Sequence, residues 1–316
     1  MNVDDVCRIR RIRSVSEETP LIIPSFSSTI TIDINQVYNT LRDYIVEVSL
    51  VSAYDVYHGY INKNDIGSSL MFIDSGNYEA DYLKNSKLLR EWDYEKYLEI
   101  LDDLPELSRY VIVNYDRKLS LSEQITRAKE LFSSYSNYGA CLLLKPISER
   151  DNFLHITSII DSINEFHDFD ILGLTEKELG GSLLDRCKNI LRIREALQEA
   201  DLFTPIHIFG CLDPLSIVAY FLCGADIFDG LSWLKYTFIE NVALYFNNHA
   251  IINGTWSQSD AIVRLRSSTG NINQLQSLTS YLKHFIRTKD FETLRLRKDI
   301  LVEIISLTGT AGIDFG

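Results

Sequence analysis

Eight short apolar runs are spaced along this chain so that an amphipathic stretch fits between most neighbours. They are Leu21–Phe26, Val46–Val51, Leu70–Asp74, Tyr110–Asp116, Ala140–Lys145, Phe169–Leu174, Ile206–Cys211 and Ala225–Asp229. Strands that are apolar throughout are buried on both faces, as in parallel sheets covered by helices. Eight strand–helix units fit a closed α/β barrel, the (β/α)8 or TIM fold, which at 316 residues needs no second domain. A doubly wound open sheet is the architectural alternative.

The stretches between the runs carry helical periodicity. Ile34, Val37, Leu41 and Ile45 share one face of a helix over Ile34–Val46, and Ile125, Ala128, Leu131 and Phe132 share one over Leu121–Tyr135, with Ser122 a candidate cap. Asn152–Phe166 and Leu183–Ala200 read the same way. Asp213 is suited to cap a helix that starts at Pro214 and stops at Gly224. Gln274–Leu307 reads as two further amphipathic helices within a C-terminal segment, residues 270–316, that completes the outer layer, with a homodimer interface as the alternative. Residues 1–18 are polar and carry Arg8, Arg10, Arg11 and Arg13; they are expected to form a flexible, solvated leader, leaving 19–316 as one barrel.

Composition restricts the function classes. The net charge of −13 disfavours a nucleic-acid partner, because such affinity comes largely from Lys and Arg releasing counterions from phosphates. No apolar run is long enough to span a bilayer, and the N-terminus lacks an apolar signal core, so no membrane association and a cytoplasmic location are expected. The five cysteines are scattered without a C-x-x-C pair and read as buried free thiols. The histidines show no metal spacing.

In an α/β barrel the chemistry sits at the C-terminal ends of the strands. Here those ends carry Asp74-Ser75-Gly76, Asn114-Tyr115-Asp116, Lys145, Gly173, Gly210 and Asp229-Gly230. A single Asp at a strand end is more often a turn former or helix cap than a catalyst. Three Asp and one Lys around one mouth can instead supply an acid, a base and a nucleophile, because crowded like charges separate carboxyl pKa values.

These segments also resemble a family. Thr19-Pro20-Leu21-Ile22-Ile23-Pro24 resembles the TPxFxP opening of the tRNA-guanine transglycosylases, and Tyr57-His58 their TYHL. Asp74-Ser75-Gly76-Asn77-Tyr78-Glu79 is similar to DSGGFQ, Phe209-Gly210 with its neighbours to MGVGTP, and Gly224-Ala225-Asp226-Ile227-Phe228-Asp229 to GxDMFD. The matches keep the family's order from about residue 19 to about residue 230. The resemblance implies a base exchange in which Asp229 is the nucleophile and Asp74 the general acid and base. It places Ser75, Asp116, Lys145, Gly173, Leu174, Phe209 and Gly210 around a 7-deazaguanine-type base.

The chain departs from the family in three ways. No Cys follows Cys223, so the family's zinc site cannot be assembled and no cofactor is expected. Leu231-Ser232-Trp233-Leu234-Lys235-Tyr236 stands where the basic tRNA-holding segment would follow the nucleophile. Lys145 replaces the base-reading Gln, and Pro146-Ile147 the Gly-Gly after it. Two functions follow as expectations. One is a divergent transglycosylase acting on a nucleic acid or nucleoside. The other is a module that recognises a deazaguanine, free or on a protein partner, without turnover; shortened relatives of this kind resemble proteins of bacterial antiviral operons. A different barrel enzyme with chance motif matches is the third option.

Overall fold

The computed structural model describes residues 3–30, 33–65, 67–83, 90–105 and 109–308. Eight strands follow the apolar runs: β1 Leu21–Phe26, β2 Val48–Ser52, β3 Leu70–Asp74, β4 Arg109–Val113, β5 Gly139–Leu144, β6 Ile171–Thr175, β7 Ile206–Phe209 and β8 Ile227–Gly230. They close into a barrel in sequence order, with β8 pairing β1 and every neighbour parallel. The open-sheet alternative is excluded by that last pairing, which sets Asp229 beside Ile23 and Gly230 beside Pro24.

Strand side chains alternate between two faces, and both faces are buried. Leu21, Ile23, Leu50, Phe72, Val111, Cys141, Leu143, Ile171 and Ile227 fill the barrel interior. Their neighbours Ile22, Val51, Ile73, Ile112, Leu142, Leu172 and Phe228 pack outward against the helices. This is why the strands read as unbroken apolar runs.

The helices are α1 Ile34–Leu41, α2 Ala53–Tyr57, α3 Asn77–Leu83, α4 Tyr94–Asp102, α5 Leu121–Ser134, α6 Ile156–Asp161, α7 Leu183–Glu199, α8 Pro214–Leu222 and α9 Ser232–Lys235. A hairpin of β9 Thr237–Ile239 and β10 Val242–Leu244 follows, then α10 Phe246–Ile252, α11 Asp260–Thr288 and α12 Lys298–Thr308. Helix α5 is capped by Ser120 rather than Ser122. Ser120 accepts from the Glu123 N–H, the Glu123 carboxylate accepts back from the Ser120 N–H, and this reciprocal box leaves Ser122 inside the first turn. Asp213 caps α8 as the sequence suggests. Gly224, just past that helix, has φ +99°, and a Cβ there would lie 2.6 Å from Arg194 Cγ.

Two expectations are corrected. The leader is not a solvated arm: among its described residues, Val6, Cys7, Arg10, Ile12 and Val15 are buried. Ile12 and Val15 join the interior cluster and plug the N-terminal end of the barrel. Arg10 donates to Asp226 Oδ1 at 2.7 Å, and Arg194 to Asp226 Oδ2 at 2.5 Å, so an arginine in a polar stretch is buried against its partner. The first of the two tail helices begins at Asp260, well before Gln274. Its early turns look too polar for a packed helix, yet Asn271 is fully buried and bonds Phe238 N, Trp233 O and Tyr236 O at 2.7 Å each. Residues 1–2 of the leader and 309–316 of the tail lie outside the described residues. All five cysteines are buried and unpaired. No helix among the described residues is long and apolar enough to cross a membrane.

Candidate active site at the barrel mouth

The alternation that builds the core also builds the site. Continuing the inward face by two residues beyond Ile23, Phe72, Leu143, Gly173, His207 and Ile227 reaches Ser25, Asp74, Lys145, Thr175, Phe209 and Asp229. Six strands thus carry an inward polar or aromatic side chain within a residue of their C-terminal ends. They line a cavity of about 380 Å3 together with Asp116, Leu50, Leu143, Glu79, Gly210 and residues following β8. That volume suits a small-molecule site.

Asp229 is buried and held by three donors. Oδ2 accepts from Ser25 Oγ at 2.8 Å, and Oδ1 accepts from His207 Nε2 at 3.1 Å and from the Gly210 N–H at 3.3 Å. His207 is entirely buried in β7 and stacks on Phe209, with ring centroids 3.8 Å apart. Its Nδ1 has no partner among the described residues, which assigns the ring proton to Nε2, facing the carboxylate. Gly210, whose N–H reaches Asp229, has φ +80°, the left-handed conformation glycine favours, and turns the chain away from the end of β7.

Asp74 ends β3 across the barrel. Burial first, then the charges of Asp116 and Asp229, push its carboxyl up to about 7. The opposing effects of the Gly76 N–H and the Lys145 ammonium are smaller. Gly76 itself is required there: its φ is +80°, and a Cβ would lie 2.6 Å from Tyr54 Cβ.

Asp116 and Lys145 form the next part of the wall. Ser75 Oγ donates to Asp116 Oδ1, and Asn77 Nδ2 donates to the Asp116 carbonyl at 2.8 Å. Lys145 Nζ lies 3.6 Å from Asp116 Oδ2 and 3.2 Å from Glu178 Oε2, and it donates to Thr175 Oγ1 at 3.2 Å. Burial works against the ammonium charge, but the two carboxylates outweigh it and raise the Lys145 pKa.

The residues named from sequence therefore separate. Asp74, Asp116, Lys145, Phe209, Gly210 and Asp229 line the cavity. Ser75 lies behind the wall and holds Asp116. Gly173 lies under Phe209: a Cβ there would meet Phe209 Cε2 at 2.8 Å and Leu143 Cα at 3.1 Å. Leu174 does not reach the pocket. One residue further along β6, it points outward into the helix-packed cluster, and Leu143 supplies the apolar contact instead.

Sequence reading also missed groups. Ser25 and His207 sit inside runs that look merely apolar, and only strand parity relative to Asp229 and Phe209 would have picked them out. Glu79 stands in the DSG segment without an assigned role; it is buried, lines the cavity and accepts from Ser27 Oγ at 2.5 Å. Asp226, in the same segment as Asp229, is a structural anchor between Arg10 and Arg194 at the opposite end of its strand.

Chemically, the mouth offers a carboxylate held by three donors, a second carboxyl group that changes protonation near neutral pH, and a carboxylate–ammonium pair beside an aromatic face. Among the described residues, no group of three or more His, Cys, Asp or Glu side chains is arranged to hold a metal ion. No known protein-family model matches the sequence, and no curated protein sequence matches it.

Proposed function

We propose that the barrel mouth binds a guanine-type base, most specifically a 7-deazaguanine, and exchanges it on a nucleoside unit through Asp229. The observation that carries this reading is the Asp116–Lys145 pair, 3.6 Å apart, beside the Phe209 ring in one cavity. A guanine edge presents ring N–H and amino donors next to a carbonyl acceptor. A carboxylate next to an ammonium is the complement of that edge, and an aromatic ring supplies a stacking face. Held by Glu178 and Thr175 at 3.2 Å each, and only 3.6 Å from Asp116, Lys145 keeps one N–H to donate to a carbonyl oxygen.

In the reaction, Asp229 Oδ attacks the anomeric carbon of the sugar. The bond from that carbon to the base nitrogen breaks, and the departing base takes a proton at that nitrogen from Asp74. The sugar is then held as an ester on Asp229. The incoming deazaguanine gives its ring N–H proton to Asp74, its nitrogen attacks the same carbon, and the Asp229 carboxylate is released. Asp74 must be protonated for the first half and ionised for the second, and a pKa of about 7 serves both.

A second reading is recognition without turnover. It is favoured by the three hydrogen bonds on Asp229, which temper its nucleophilicity. Titration calorimetry with 7-cyano-7-deazaguanine, 7-aminomethyl-7-deazaguanine and guanine tests what the readings share. Binding of a deazaguanine that is lost in Asp116→Ala supports the pocket; no binding of any base overturns it. Incorporation of labelled guanine into tRNA, DNA or guanosine then separates exchange from recognition.

A further inference from the structure

The cavity has two unlike sides. Asp116, Lys145, Thr175 and Phe209 occupy one. The other is tied together by the end of β1 and the loop after it: Ser25 in β1 holds Asp229, and Ser27, just past the strand, holds Glu79. Ser27 Oγ also bonds Thr29 Oγ1 at 2.9 Å. On this side Glu79 Oε2 and Ser232 Oγ, from residues that line the cavity, are buried with no hydrogen-bond partner among the described residues, as are Asp55 Oδ1 and Ser28 Oγ, from residues outside the lining. Buried polar groups of a folded protein are rarely left unmatched, and an unmatched one on a residue that lines a cavity is a candidate for a ligand contact.

Glu79 is 3% exposed, and the groups that face it are mostly acidic or neutral. Asp55 approaches from α2 and Asp74 from β3, while Ser27 and Thr29 come from the loop after β1. Asp55 is itself pushed up to about 6, chiefly by burial, and accepts from the Ser28 N–H at 2.9 Å. Burial and then the charges of Asp55 and Asp74 raise Glu79 well above the ordinary carboxyl range, against the weaker pull of the Ser27 hydroxyl. Among the described residues no cation pairs with it.

We propose that Glu79 is carried as a neutral carboxylic acid whose Oε2–H donates to a sugar hydroxyl oxygen, making it the residue that selects a nucleoside over a free base. This rests on the guanine-type reading of the Asp116–Lys145 wall. With the base there, its sugar falls between Asp229 and Glu79. A neutral acid is the form suited to this position, since a carboxylate would repel Asp55 and Asp74. Ser232 Oγ supplies a second contact on the same side.

The test compares guanosine and guanine on wild type, Glu79→Gln and Glu79→Ala by calorimetry between pH 6 and 9. An amide retains a donor at this position and cannot ionise. Glu79→Ala should weaken guanosine about tenfold and leave guanine unchanged, the loss expected for one hydrogen bond. Glu79→Gln should keep guanosine affinity, and any fall of the wild-type guanosine-to-guanine affinity ratio toward high pH should be missing from it; taking the ratio cancels the titration of Asp74, which both ligands share. Equal losses in Gln and Ala, or equal effects on both ligands, overturn the proposal. Infrared spectra of the ligand-free protein give an independent arm: at pH 7 the protonated-carboxyl carbonyl band, to which Asp74 and Asp55 also contribute, is expected to lose one component in Glu79→Gln, and an unchanged band overturns the proposal whatever binds. If neither ligand binds wild type, the base reading fails and the sugar contact fails with it. If guanine binds and Glu79→Ala leaves guanosine untouched, only the Glu79 assignment fails.

Discussion

Replacing Asp229 by Asn or by Ala should separate its structural load from its chemistry. Three donors converge on this carboxylate from β1, from β7 and from the turn after β7. In Asp229→Asn the remaining carbonyl oxygen still accepts from His207 Nε2 and the Gly210 N–H. The new amide donates to Ser25 Oγ, which reverses to accept. Every partner stays satisfied, so Asn should alter stability by less than about 1 kcal/mol. In Asp229→Ala all three donors lose their acceptor. Ser25 and Gly210 border the cavity and can be rehydrated. His207 is 0% exposed and cannot. An unsatisfied buried donor costs about 1–3 kcal/mol, and the loss of a like charge beside Asp74 is common to both variants, so Ala should be roughly 1–3 kcal/mol less stable than Asn. Urea denaturation at pH 7.5 measures the gap. Both variants should lose base exchange by roughly 10^3-fold or more while Asn retains base affinity. Equal denaturation midpoints for Ala and Asn would refute the claim that the three donors depend on this carboxylate.

Four other outcomes are expected. Asp74→Asn should gain stability relative to wild type as pH rises. The folded-state pKa of about 7 lies above the unfolded value near 4, so the favourable protonated form is fully present below pH 4 and lost through pH 7; the gain should reach roughly 2–4 kcal/mol at pH 8, read from denaturation midpoints against pH. Arg194→Ala should cost about 3–5 kcal/mol, since it leaves Asp226 buried with one of its two arginine partners gone, yet at low temperature the folded fraction should bind base normally by calorimetry. Phe209→Ala should weaken base binding by about tenfold or more through lost stacking, read by the same titration. Gly173→Ala should push the Phe209 ring into the cavity, costing about 1–3 kcal/mol and weakening the base more than the core, seen as a larger change in affinity than in midpoint.

The sequence carried the barrel because strand burial on both faces writes itself into composition, and eight such runs leave few other folds. The rim was legible for the same reason: Asp74, Lys145 and Asp229 interrupt apolar runs, and a charge at the end of a buried strand needs a reason. Legibility failed where polarity and burial part company. Arg10 looked solvated because its partner, Asp226, lies more than 200 residues away, and no local pattern reveals a buried pair whose halves meet only in the fold. Asn271 hid the start of α11 in the same way, by spending its amide on three backbone groups of a distant segment. His207 and Ser25 were hidden by the opposite disguise, as single polar residues in apolar strands. They become conspicuous once parity is fixed by the neighbours: His207 precedes the inward Phe209 by two, and Ser25 follows the inward Ile23 by two. Leu174 shows the rule in reverse, since a one-residue step from the inward Gly173 sends it to the outer layer. Parity thus discriminates among site candidates where residue type does not. Applied to β1, β7 and β8 together, it joins Ser25, His207 and Asp229 into the one hydrogen-bonded unit on which the proposed chemistry depends.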